Sequence, residues 1–121
     1  MKNRNIVLGI VLVIILIGAI YLMLPKASGD YDEFAQCLTD SGAKMYGAFW
    51  CSHCTNQKKM FGTSWSNINY IECSTPGGDG QTLECQQAGI SGYPTWEFAD
   101  SSRISGEVTI AQLSQKTGCV P

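Results

Sequence analysis

The sequence predicts an α/β domain, a central mixed sheet flanked by helices, carried behind one N-terminal membrane-spanning helix. Three observations lead there. Residues Ile6 to Leu24 hold no charge, and their only polar side-chain group is the Tyr21 hydroxyl. From Asp30 onward, helix and strand signals alternate, punctuated by capping residues and glycines. An apolar, strand-like run ends directly at Cys51-Ser52-His53-Cys54, where two cysteines separated by two residues open a helix.

The apolar run is nineteen residues long, and as helix at about 1.5 Å per residue it spans roughly 28 Å, close to the hydrocarbon thickness of a bilayer. Lys2, Arg4 and the amino terminus precede it and only Lys26 follows closely, which orients residues 1–5 toward the cytoplasm. The organisation expected is a membrane anchor over 6–24, a linker over 25–29 and a domain over 30–121 outside the cell membrane. A cleaved signal peptide is the competing reading, since small residues (Ala27, Ser28, Gly29) follow, but its apolar core would run to roughly 7 to 15 residues. Both readings export the domain. From Pro25 on there are six basic and ten acidic residues and no basic patch interleaved with aromatics, which argues against a nucleic-acid partner.

Asp30 reads as an N-cap, with Glu33 completing a capping-box pattern, for a helix over Tyr31 to Ser41 that places Phe34, Cys37 and Leu38 on one face and ends at Gly42. Ala43 to Trp50 reads as a buried strand that stops at Cys51. A helix from His53 to Phe61 follows, with Lys58 and Lys59 outward and Met60 and Phe61 inward, then a loop over Gly62 to Ser66. Ile68 to Cys73 alternates as a second strand, and Ser74 to Gly80 is a turn. Thr82 caps a short helix through Ala88, closed by Gly89. Thr95 to Ala99 and Arg103 to Glu107 form a hairpin around Asp100 to Ser102, and Thr109 with Gln112 caps a last helix ended by Gly118. The order is α-β-α-β-α-β-β-α, two βα crossovers followed by a hairpin. About 95 residues bury only a modest core, so covalent staples would add materially to stability.

Six cysteines in an exported chain suggest disulfides. Cys51 and Cys54 are within reach of each other across the strand-to-helix turn, and a helix N-terminus stabilises a thiolate at the first, which is the layout of a dithiol redox site. Half of a zinc site, with Cys73 and Cys85 as further ligands, is the competing reading. It is disfavoured because those two lie twelve residues apart where structural zinc sites bring a second tight pair, and no metal is expected. Cys73 and Cys85 are expected to staple the Gly-rich turn between them, with a shuttling pair that exchanges with Cys51 and Cys54 as the alternative. Cys37 and Cys119 remain, either as a bridge that ties down the tail or as a buried thiol and a stray one.

The strand, Trp50-Cys51-Ser52-His53-Cys54 and the helix, together with Gly92-Tyr93-Pro94-Thr95 about forty residues later, resemble a thioredoxin-like fold, in which a cis proline faces the dithiol. Ala43 to Ala48, Tyr70-Ile71-Glu72-Cys73 and Gly89 to Trp96 are similar to the DsbA-like thioredoxin domain fused to, or partnering, bacterial and plant homologues of vitamin K epoxide reductase. The resemblance covers roughly Phe34 to Gly118. It implies a CxxC that passes disulfides to reduced exported proteins and is reoxidised by a vitamin K epoxide reductase-like or DsbB-like membrane oxidase. It also implies a second cysteine pair at Cys73 and Cys85, and no cofactor beyond the redox-active disulfide, quinone entering only through the partner. Two departures stand out: Met45 occupies the place of the buried acid of ordinary thioredoxins, and the first strand of a full thioredoxin is missing.

Within this layout Cys51 is expected to be the exposed exchanging sulfur and Cys54 the buried resolving one. His53 lies between them, and an imidazole beside a thiolate favours the thiolate; this stabilises the reduced form and makes the disulfide the better oxidant. Trp50, Tyr93 and Pro94 are the expected substrate contacts, with core filling as the plain alternative for the aromatics. The function expected is a membrane-anchored, extracytoplasmic thiol-disulfide oxidoreductase that donates disulfides. A reductase or isomerase, or a non-catalytic disulfide-stapled binding module, are the alternatives.

Overall fold

The computed structural model describes residues 1–24 and 29–121, so the expected linker lies, but for Gly29, outside the described residues. Helix α1, Lys2–Met23, is exposed along its whole length and is long and apolar enough to cross a membrane. The elements that follow are α2 (Asp32–Asp40), β1 (Lys44–Gly47), α3 (Ser52–Phe61), a 3-10 helix (Gly62–Asn67), β2 (Tyr70–Glu72), α4 (Leu83–Gln87), β3 (Thr95–Glu97), β4 (Arg103–Ser105) and α5 (Ile110–Thr117).

Four strands form one mixed sheet in the order β2-β1-β3-β4. β1 and β2 are parallel, with Met45 opposite Tyr70 and Gly47 opposite Glu72, because α3 carries the chain across between them. β3 runs antiparallel to both β1 and β4, with Met45 opposite Trp96. Only the first of the two expected crossovers therefore joins parallel strands. Among the described residues no strand precedes α2. The arrangement is a thioredoxin-like fold.

Alternation along β1 divides the interior. Met45, with Phe34, Leu38, Phe61, Trp96, Val108 and Leu113, fills the main core between the sheet and helices α2, α3 and α5. Tyr46 points to the other face, where it packs with Ile90 and the buried Cys73–Cys85 pair. α4 has only five residues, too few to be stable on its own. Its bridge to the end of β2, with Cα atoms 5.5 Å apart, holds it on the sheet. A second bridge joins Cys37 on α2 to Cys119 in the tail, Cα atoms 5.9 Å apart.

Four local expectations are corrected. Asp30 is not the cap of α2: the helix begins at Asp32, whose carboxylate accepts the Gly29 N–H at 2.8 Å while the Tyr31 N–H donates to Ser64 Oγ at 3.0 Å. The chain is thus tied to the 3-10 helix before α2 begins, and that helix replaces the expected loop. Cys37 is exposed, on the flank of α2, while Phe34, Ala35 and Leu38 form its buried face. The strand expected through Trp50 stops at Gly47, after which a turn closed by Cys51 N–H to Ala48 O leads into α3. Phe49 and Trp50 are consequently 55 % and 56 % exposed.

Candidate redox site

α3 starts at Ser52, and Cys51 is its N-cap, with extended backbone at φ −80 and ψ 118. A serine or aspartate normally supplies the capping acceptor here; in this chain the sulfur does, taking the Cys54 N–H at 3.2 Å. The first-turn amides that stabilise an anion therefore point at Cys51 Sγ. Cys51 and Cys54 are free thiols, while the other four cysteines are bonded in pairs.

Cys51, expected to be exposed, is only 7 % so, and Cys54 is 1 % exposed. Cys51 reaches the surface through a cavity of about 450 Å³ lined by Trp50, Cys51, Ser52, His53, Ser91, Gly92 and Tyr93. Burial is the main reason that the Cys54 thiol is pushed up to about 12, helped by its hydrogen bond with Cys51; the Ala48 backbone and the Lys58 charge pull the other way. The reduced Cys54 thiol therefore holds its proton.

Trp50 is held edge-on to Tyr93, ring centroids 5.9 Å apart, and its indole N–H donates to Ser74 Oγ at 3.0 Å. Tyr93 Oη accepts from Gln81 Nε2 at 2.7 Å, which anchors that ring to the turn before α4. The Tyr93-Pro94 peptide bond is cis. Pro94 itself is buried and does not line the cavity, and its carbonyl accepts the Gly106 N–H at 2.8 Å. Trp50, Cys51, His53 and Tyr93 thus share one cavity, and Pro94, next in the chain to Tyr93, is not part of its lining.

Three polar residues that sequence reasoning did not single out belong to this neighbourhood. Glu107, in the segment after β4, places Oε2 2.6 Å from His53 Nδ1. Gln57 lies one helical turn beyond His53, fully buried, and bonds both the N–H and the C=O of Val108. Glu72 at the end of β2 accepts the Phe49 N–H at 3.2 Å, the Ser74 N–H at 2.8 Å and the Tyr70 hydroxyl at 2.8 Å. Cys73 and Cys85 lie on the other face of the sheet with no exposed surface.

No family model matches the chain. Over 88 residues it is 47% identical to the thiol-disulfide oxidoreductase LTO1 of Arabidopsis thaliana, a match that covers 69% of this chain and 23% of that protein. The chain thus spans less than a quarter of the length of the curated relative it matches. Over most of its own length, then, the chain is a homologue of part of a thiol-disulfide oxidoreductase.

Proposed function

We propose that the chain is a membrane-anchored thiol-disulfide oxidoreductase that faces the extracytoplasmic side and donates the Cys51–Cys54 disulfide to reduced exported proteins. The observation that carries this reading is the capping geometry: Cys51 Sγ at the N-terminus of α3, lining an aromatic-walled cavity, with Cys54 buried behind it. α1 supports an anchor, and the basic residues ahead of it support a cytoplasmic N-terminus.

In the exchange a substrate thiolate attacks Cys51 Sγ, the Cys51–Cys54 bond breaks, and Cys54 leaves with the electron pair and takes up a proton. A second substrate thiolate then attacks the substrate sulfur of the mixed disulfide, and Cys51 leaves as a thiolate that the α3 N-terminus stabilises. The substrate dithiol is oxidised by two electrons and the Cys51–Cys54 disulfide is reduced. Trp50 and Tyr93 offer apolar contact to an extended substrate. Reoxidation in this reading falls to a vitamin K epoxide reductase-like or DsbB-like membrane oxidase that passes the electrons to quinone.

The test is to trap the exchange. A Cys54→Ala variant displayed on the extracytoplasmic side should accumulate mixed disulfides with exported proteins through Cys51. A variant that accumulates none, while folded, supports a stapled binding module instead.

A further inference from the structure

Cys54 is closed off from solvent, yet the proposed exchange requires it to gain a proton when the disulfide opens and to lose one when it re-forms. On β1, beneath the dithiol, Met45 offers no base. The neighbouring strand does. Glycine at position 47 lets the two groups approach: a Cβ there would lie 2.8 Å from Tyr70 Cε2, 3.1 Å from Cys54 Sγ and 3.2 Å from Tyr70 Oη, too close for any side chain. Sulfur and hydroxyl therefore flank one point and are at most about 6 Å apart, within the span of one bridging water.

Tyr70 Oη donates its single proton to Glu72 Oε2 at 2.8 Å, so its lone pairs are left to accept. Two backbone amides, of Phe49 and Ser74, fix the other oxygen of Glu72, and the residue is half-buried, in touch with solvent. Lys58 Nζ lies 4.0 Å from the centre of the Tyr70 ring, and its charge favours a Cys54 thiolate. The Tyr70 hydroxyl is held well above its usual range, by burial first and then by the bond to Glu72, so it passes a proton without ionising. The titratable groups around Cys54 are Cys51 at the N-cap, Lys58 on α3 and Tyr70 on β2, with Glu72 bonded to Tyr70; from β1, Gly47 lies beside it.

We infer that Tyr70 and Glu72 form the proton route of Cys54, an inference that rests on the dithiol exchange proposed above. When Cys54 attacks a mixed disulfide at Cys51, its proton passes to Tyr70 Oη, directly or over one water, as the Tyr70 proton passes to Glu72. The Cys51–Cys54 bond forms, the bond from Cys51 to the partner sulfur breaks, and that sulfur leaves with the electron pair. Glu72 then releases its proton to solvent. The reverse order supplies the proton when the disulfide opens. Glu72 acts through Tyr70 and is a positioning residue.

The experiment mixes the reduced full chain with oxidised glutathione and follows closure of Cys51–Cys54 from the glutathione mixed disulfide, in the native protein, Tyr70→Phe and Glu72→Gln. Both variants should close on the order of a hundredfold more slowly at pH 7. The deficit should shrink toward pH 10, where hydroxide takes the proton directly, and the rate of Cys51 alkylation should change by less than about twofold. Native closure rates in both variants, or a deficit equal at pH 7 and pH 10, would overturn the route while leaving the exchange intact. Glu72→Gln keeps the Tyr70 ring in place and carries the test if Tyr70→Phe fails to fold. A native chain that forms no mixed disulfide would instead overturn the exchange reading, and the route with it.

Discussion

Gln57 pairs with Val108 as one strand residue pairs with another: its amide nitrogen donates to the Val108 carbonyl at 2.9 Å and its amide oxygen accepts the Val108 N–H at 2.7 Å. The side chain comes from the buried face of α3, and the backbone it holds is that of the segment joining β4 to α5. One residue earlier in that segment, Glu107 meets His53, so both ends of the clamp bear on the helix that carries the dithiol.

Gln57→Ala should therefore cost about 2–4 kcal/mol, because it leaves a cavity and strips a buried N–H and C=O of their partners. Urea unfolding measures it. A loss below about 1 kcal/mol would mean that the segment finds other partners.

The raised Cys54 thiol makes the stability of the reduced protein depend on pH. The unfolded thiol titrates near its ordinary value of 9.0, the folded one near 12, so the folded state binds the extra proton between them. Stability from this group is full below pH 9 and is lost as pH rises toward 12, on the order of a few kcal/mol in all. Denaturation of the reduced and oxidised forms across that window should show the larger loss in the reduced form, because the raised Tyr70 hydroxyl costs stability in both forms and Cys54 only in the reduced one.

Replacing Cys73 and Cys85 together by serine should lower stability by about 3 kcal/mol, the cost of freeing a twelve-residue loop. Both sulfurs are fully buried on the opposite face of the sheet from the main core, so disulfide donation in a standard exchange assay should persist at a temperature where the variant is folded. Loss of donation from a folded variant would assign the pair a shuttling role.

Trp50→Ala removes a half-exposed indole from the cavity wall and should change stability by less than about 1 kcal/mol. The KM for a reduced, unfolded protein substrate should rise several-fold with little change in the alkylation rate of Cys51. An unchanged KM would show that Trp50 shields the dithiol without touching substrate.

The element order is legible in the sequence because caps and glycines mark its boundaries: Thr109 with Gln112 forms the capping box, Gly118 ends α5 in left-handed geometry, and Gly42 and Gly89 stand at positive φ after their helices. Cys51 and Cys54 are legible for the same local reason, since strand, turn and helix are all encoded within a dozen residues. Phe49 and Trp50 mislead because composition cannot tell a buried strand from a turn that exposes its aromatics, of which Trp50 walls the surface cavity. Gln57, Glu72 and Glu107 carry no local signal. Each is a polar residue whose meaning comes from a partner that the fold delivers: Val108 and His53 lie more than fifty positions from Gln57 and Glu107, and Phe49 lies 23 from Glu72.

The central claim, that Cys51 and Cys54 donate disulfides, is tested most directly by the reduction potential of that pair, measured by equilibration of the full chain with glutathione redox buffers. The expected value is more positive than about −200 mV, in the range of disulfide-donating proteins. A value near −270 mV, like that of thioredoxin, would contradict the account and assign the site to reduction.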